Sequence, residues 1–252
     1  MSCRINNRRK KTSRILLEKR AWELAGNGEA MFLTLTYDPD KLPITGPEVW
    51  DFEKVRASIQ RMPRPTLVKA HLQNYWKKLR NLWPDRVISY VGVGEYGDRK
   101  GRPHYHAVVF NTGPDDEPAL VQKWEHGFVQ ADELTVERAQ YLAGYTQKKM
   151  TKQVKKELEP AIPEFSSWSL KPAIGKKYVP WMVKTLAKHE DVVVAWQDVN
   201  LTWRYGGKIW PIDRNMRKWM REEWNRTQEF QIPEDWTERV EKATRPLVPQ
   251  RS

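Results

Sequence analysis

The stretch from residue 87 to residue 110 constrains the fold most. VISYVGVGEY (87–96) and PHYHAVVF (103–110) are rich in β-branched and aromatic residues, and GDRKG (97–101) lies between them. Two such runs around a glycine-bounded turn predict a β-hairpin. A hairpin of this length demands an antiparallel sheet and needs further strands or helices to bury its apolar face.

The flanking sequence supplies them. AMFLTLTY (30–37) reads as a strand ended by Asp38–Pro39, and 127–131 as another. The clearest helix spans 67–83, with Val68, Leu72, Tyr75, Leu79 and Leu82 as one apolar stripe, Thr66 as cap and Pro84 beyond its end. Shorter helices are expected over 13–25 and 119–125, and a second long one over 135–150, capped by Thr135 with Glu137 in its first turn. The order β, α, β-hairpin, short α, β, α predicts an α+β fold, a ferredoxin-like (RRM-like) antiparallel sheet with packed helices. Elsewhere, 43–65 reads as a long loop with a helical turn near Trp50, and 151–172 as a Lys- and Pro-rich linker. VVVAW (192–196) reads as a strand, 213–226 as a helix and 238–252 as a loose tail. The expected organisation is a basic N-terminal arm and helix (1–28), a main domain (29–212) and a C-terminal helix and tail (213–252).

The net charge of +12 is segregated. Residues 1–20 hold eight Lys/Arg against one acid, and Lys148, Lys149, Lys152, Lys155 and Lys156 form a second cluster. Clustered positive charge favours a polyanion partner, because each neutralised phosphate releases counterions. The single cysteine, Cys3, rules out an intrachain disulfide and a cysteine-based zinc site, and fits a reducing cytoplasm. No apolar run approaches the roughly 18 residues of a membrane span, and the basic arm lacks a signal peptide's apolar stretch. A soluble, intracellular protein is expected.

Residues i and i+2 of a strand share a face, so His104 and His106 point one way and Tyr105 the other. If the turn centres near Arg99–Lys100, cross-strand partners sum to about 199, which sets Glu95 opposite His104. Two imidazoles and a carboxylate on one patch make a three-ligand metal site with open positions. An isolated HxH says little. Here the chain has only five histidines, two flank one residue, and a glutamate lies at cross-strand distance. His71, His126 and His189 show no such company and are expected to be surface or core residues.

On the 135–150 helix, Tyr141, Tyr145 and Lys148 form one stripe, with Arg138, Lys149 and Lys152 near it. Ala139, Ala143 and Met150 make the better core face, so the tyrosines fall on the basic side. A phenol titrates near pH 10 and needs help to attack at neutral pH. A metal polarising a phosphate, with cations nearby, supplies that help. Attack on a DNA phosphodiester would leave a phosphotyrosine bond and a free 3′-hydroxyl, and the conserved bond energy allows later rejoining. A second tyrosine one turn away can attack a second junction while the first holds the earlier 5′ end.

FLTLTYDPDKLP (32–43), LQNYWKKLR (72–80), VGEYGDRKGRPHYHAVVF (93–110) and YLAGYTQKK (141–149) resemble the replication initiators of small single-stranded DNA phages, the gokushovirus branch of the microviruses. LKPAIGKKY (170–178) and YGGKIWPIDR (205–214) match more weakly. These initiators belong to the HUH endonuclease superfamily. The resemblance implies that His104 and His106, with Glu95 as third ligand, bind Mg²⁺ or Mn²⁺. It implies Tyr141 and Tyr145 as paired nucleophiles with Lys148 near the scissile phosphate. Lys149, Lys152, Arg138, Arg102, Thr36 and Asp38 are expected at the DNA. The implied activity is rolling-circle initiation on single-stranded origin DNA in the cytoplasm of a bacterial host. There is no GxxxxGK[ST] motif, so a host helicase is the expected source of unwinding. Segments 44–65 and 150–160 depart from the family pattern. Two other readings stand beside this one. An HUH transposase or relaxase is one, although single-tyrosine transposases lack YxxxY and relaxases usually show a third histidine. A non-catalytic RRM-like binder is the other, and it would need exposed aromatics on the sheet face.

Overall fold

The structure is a computed structural model that describes residues 2–26, 29–45, 64–97, 101–146 and 161–233. The chain forms two compact units, residues 1–175 and 176–252. These boundaries differ from the arm, main domain and tail expected from the sequence.

The first unit is built on five antiparallel strands. β1 (Ala30–Thr36), β4 (Ser89–Tyr96), β5 (Pro103–Phe110), β6 (Val129–Glu133) and β7 (Phe165–Trp168) lie in the order β6-β1-β5-β4-β7. Without β7, that is the strand order of the expected ferredoxin-like fold. The short strands β2 (Ile44–Thr45) and β3 (Arg64–Pro65) pair with each other. The register of β4 and β5 sets Glu95 opposite His104, as the count across the turn predicts. β1 pairs with the other side of β5, Thr36 against His104 and Thr34 against His106. β5 is therefore held on both sides, which fixes the direction of its side chains.

One face of the sheet is closed by α2 (Lys69–Leu82) and α3 (Glu117–Gln122). Leu72, Tyr75, Trp76 and Leu79 of α2 pack there with Leu33, Leu35, Tyr105, Ala107 and Val109. The expected stripe is corrected at its ends. Val68 is the N-cap, and Leu82 is exposed while Trp76 is buried. Thr66 is not the cap, because its hydroxyl bonds Leu67 O and accepts from Ile162 N–H. Gly92 and Gly94 let α2 and β7 come close. A Cβ on Gly94 would meet Phe165 at 2.9 Å, and one on Gly92 would meet Leu72 at 3.1 Å.

On the other face lie α1 (Ser2–Ala25) and α4 (Val136–Tyr145), packed against each other. α1 extends well beyond the expected 13–25, since Arg and Lys are good helix formers and its second half is anchored. Ile15, Leu16 and Leu17 are fully buried. The buried Glu18 carboxylate accepts hydrogen bonds from Ser89 Oγ at 2.9 Å, Trp22 Nε1 at 3.2 Å and Gly175 N at 2.7 Å. Thr135 caps α4 by accepting from Arg138 N–H, as expected.

Two further expectations are corrected. Residues 165–168, assigned to a linker, form the outer strand β7. VVVAW lies in helix α6 (Glu190–Trp196), not a strand, because it continues directly from the preceding helical turns with Glu190 and Asp191 in its first turn. The turn near Trp50, Met150 and the tail 238–252 lie outside the described residues.

The second unit comprises α5 (Val179–Leu186), α6, the hairpin β8 (Thr202–Tyr205) and β9 (Lys208–Pro211), and α7 (Arg214–Thr227). Gly206 and Gly207 join the hairpin, both at positive φ (55° and 72°), where a side chain would be strained. That GG pair is a hairpin signal that the sequence reading passed over. Asp213 caps α7, whose Met216, Met220 and Trp224 form a buried i, i+4, i+8 stripe. Among the described residues, no helix is long and apolar enough to cross a membrane.

Candidate active site

The ends of β1, β5 and β4 set Thr36, His104 and Glu95 in one cross-strand row, with Thr34, His106 and Val93 in the next. Glu95 Oε1 lies 2.7 Å from His104 Nε2 and 3.2 Å from His106 Nε2. The candidate ligand atoms of the three residues lie within 4.8 Å of one another. The outer nitrogens are also held. His104 Nδ1 is 3.1 Å from the Arg102 carbonyl, and His106 Nδ1 is 3.1 Å from Thr34 Oγ1. A neutral His104 that donates from Nδ1 to that carbonyl presents the Nε2 lone pair to the centre, the arrangement metal-binding histidines need.

Burial would raise the Glu95 carboxyl, but hydrogen bonds from His104 and His106 and their charge outweigh it and hold it down at about 2. Burial would lower His104, yet Glu95 and the Arg102 carbonyl raise it. Glu95 is therefore an anion at neutral pH. Its Oε2 is buried with no hydrogen-bond partner. A buried carboxylate oxygen without a donor is costly unless a cation satisfies it. The residues present thus fit a divalent ion held by two imidazole nitrogens and a carboxylate, with positions left for water and substrate oxygen.

Both tyrosines reach this centre. Tyr141 Oη lies 3.3 Å from His106 Nε2. The Tyr145 ring is 4.8 Å from that of Tyr141 and 6.2 Å from that of His106, between centroids. Phe32 stacks on His106 at 5.6 Å and meets Tyr141 edge-on at 6.3 Å, a wedge between strand and helix. Tyr141 is 40% exposed, open to a strand of nucleic acid.

The other expected residues divide. Lys148, Lys149 and Lys152 lie outside the described residues. Arg138 is paired with Asp132 at 2.9 Å and donates to the Glu133 carbonyl. Arg102 works as a tether, its guanidinium on the Tyr37 carbonyl and its own carbonyl under His104. Thr36 stands beside His104 in the cross-strand row, and its hydroxyl donates to Phe128 O at 3.4 Å. Asp38 caps the short 3₁₀ turn Pro39–Lys41.

Sequence reasoning missed Thr34, although its alternation with Thr36 in FLTLTY was the signal for a polar row facing the histidines. It also missed two cations of α1. Lys11 Nζ donates to the Thr146 carbonyl at 2.8 Å and Arg8 Nε to the Gln140 carbonyl at 2.9 Å, so the basic helix docks on the helix that carries the tyrosines.

Residues 30–150 match the family model of the ORF2-type replication-associated proteins. That stretch runs from β1 through α4 and contains every residue of the centre. The chain is 28% identical over 192 residues to the replication-associated protein VP4 of Bdellovibrio phage phiMH2K, covering 70% of this chain and 55% of that protein. It is 32% identical over 158 residues to the replication-associated protein ORF4 of Chlamydia phage 1, covering 55% and 35%. It is 28% identical over 182 residues to the replication-associated protein ORF2 of Spiroplasma virus 4, covering 65% and 51%. The chain thus spans between about a third and about a half of the length of these relatives. The resemblance to replication proteins of small phages read from the sequence is borne out. No solved structure matches the chain.

The remaining histidines correct one expectation. His71 and His126 do have company. Their rings stack at 3.8 Å, and Tyr37 Oη joins His71 Nδ1 at 2.9 Å and Tyr105 Oη at 2.7 Å. Tyr105 Oη also bonds both the amide and the carbonyl of Val68. This network anchors the residue between the two ligand histidines from beneath the sheet. Burial, then the neighbouring charge of His126, lowers His71 to about 4. An unfolded histidine takes up a proton below about 6.5. Folded His71 resists until about 4, so its neutral state contributes stability above pH 6.5 that is lost as pH falls toward 4. Because the ring is partly solvated, the expected loss is on the order of 1 kcal/mol. Urea unfolding at pH 7 and pH 4.5 should show that loss in the wild type and a smaller one in His71→Gln. Equal losses would remove His71 as the cause.

Proposed function

We propose that the first unit nicks and rejoins single-stranded DNA through a tyrosine nucleophile, and that the protein initiates phage DNA replication by the rolling-circle route. The observation that carries this reading is the convergence of Tyr141 Oη on His106 Nε2, at 3.3 Å, beside the His104–Glu95 pair. Replication is the role named in all three phage relatives. His104, His106 and Glu95 hold Mg²⁺ or Mn²⁺. Bound there, the ion supplies Lewis-acid polarisation of a phosphate oxygen. The protein's residues do the rest. Glu95 and the second nitrogens of the histidines keep the donor set rigid. α4 presents the phenol of Tyr141 toward the phosphate, and its oxygen attacks phosphorus. The strand's 3′-hydroxyl leaves and takes a proton, and a 5′-phosphotyrosine bond forms. Lys148, with Lys149 and Lys152, offsets the developing negative charge and steers the strand. Arg138, Arg102, Thr36 and Asp38 line the approach. Joining reverses the step: a 3′-hydroxyl attacks the phosphotyrosine and frees the phenol. A host helicase opens duplex DNA, in the cytoplasm of the infected bacterium.

The test is a labelled single-stranded origin oligonucleotide incubated with the protein and Mn²⁺. A covalent adduct that survives a denaturing gel and vanishes in Tyr141→Phe/Tyr145→Phe is the expected result. Retarded migration without adduct or cleavage on cognate DNA would leave only the RRM-like binding module.

A further inference from the structure

The sheet face opposite the histidines carries a groove that the nicking chemistry does not use. It runs between α2 and the outer strand β7. Tyr90 of β4 pairs with Val109, on the core face, and stands five residues from Glu95, about 16 Å along the strand. Lys69, Gln73, Trp76, Arg80 and Trp83 follow one side of α2 and its C-cap at helical spacing. Phe165 and Ser167 of β7 face them.

Cations and rings alternate along this groove. Lys69 Nζ lies 5.4 Å from the Phe165 ring centre, Arg80 Cζ 5.5 Å from that of Tyr90, and Arg86 Cζ 4.6 Å from that of Trp83. Trp76 stacks beneath Tyr90 at 4.3 Å and stiffens it. A cavity of about 170 Å³ lies at the Lys69–Phe165 end. A larger one, about 550 Å³, is bordered by Arg80, Trp83, Arg86, Tyr90, Trp168 and Lys171. Asp116 is in direct contact with one of these cations, 2.7 Å from Arg86.

We propose that this groove binds a segment of single-stranded nucleic acid, separately from the cleavage centre. Ring faces accept bases of any sequence, and alternating cations neutralise the phosphates between them. The groove follows a helix of 14 residues, about 21 Å, enough for on the order of four nucleotides. A strand held there stays on the protein while another stretch is cut on the opposite face. The inference rests on the reading that this protein handles single-stranded DNA, but it concerns holding, not cutting.

The experiment uses the full chain and a fluorescein-labelled single-stranded oligonucleotide of mixed sequence, read by anisotropy over a salt series. Lys69→Gln/Arg80→Gln/Lys171→Gln should weaken binding at least about ten-fold and flatten the log–log salt slope by about 2. Nicking of a short oligonucleotide that covers only the cleavage junction should stay within about two-fold of wild type. Unchanged affinity and salt slope in the folded triple variant would overturn the groove and leave the nicking reading intact. Weakened binding beside a wild type that never nicks would support the groove and sink the nicking reading. Should the triple variant fail to fold, photocrosslinking of bromouracil-substituted DNA to the wild type decides. Adducts on peptides holding Trp83, Tyr90 or Trp168 support the groove, and crosslinks confined to other peptides overturn it.

Discussion

His106→Ala is expected to abolish metal-dependent nicking while leaving binding of single-stranded DNA largely intact. His106 touches both halves of the site. Its Nε2 faces Glu95 Oε1 at 3.2 Å and Tyr141 Oη at 3.3 Å. Losing it removes a ligand and the contact that places the tyrosine. Lewis-acid stabilisation amounts to several kcal/mol, so the expected fall in rate is about a thousand-fold or more. Thr34→Val should act more mildly through the same atom set. It removes the partner 3.1 Å from His106 Nδ1 and should weaken Mn²⁺ binding by about 10- to 100-fold. Calorimetric titration of Mn²⁺ and anisotropy with labelled DNA separate the two losses. Nicking by His106→Ala within ten-fold of wild type would place the metal elsewhere. His106→Gln, which keeps more of the volume beside Phe32, guards against a loss caused by packing alone.

The central hairpin was legible because its information is local. Alternation in PHYHAVVF and the short turn set the register, and the register set Glu95 against His104. β7 was not legible, since FSSW carries no period of its own. It becomes a strand only because Gly94 leaves room for Phe165. VVVAW misled because β-branched composition is a weak prior that tertiary context overrides. The same limit hid the companions of the site. Glu95, His104 and His106 lie within one hairpin, whereas Thr34 and Lys11 meet the site only through folding of distant segments. The stacked His71–His126 pair is likewise invisible in sequence, being joined across the α2 face by loops with no shared pattern.

Tyr141→Phe and Tyr145→Phe are expected to fail at different steps. The two residues sit one turn apart on α4, so their hydroxyls are not equivalent. Tyr141 Oη is in hydrogen-bond contact with His106, while the Tyr145 ring lies 6.2 Å from it, behind Tyr141. Phenylalanine keeps the ring packing against Phe32 and removes only the attacking oxygen. Tyr141→Phe should therefore lose the first cleavage by about a thousand-fold or more, as expected when a nucleophile is deleted. Tyr145→Phe should keep the first cleavage within about ten-fold and lose transfer to a second junction, because no free phenol remains once Tyr141 is esterified. Two oligonucleotides of different length distinguish the steps, the adduct reporting cleavage and the recombined strand reporting joining. Loss of first cleavage in Tyr145→Phe alone would reverse the order of attack. Wild-type cleavage and joining in either single variant would end the alternating-tyrosine scheme and leave one nucleophile acting twice.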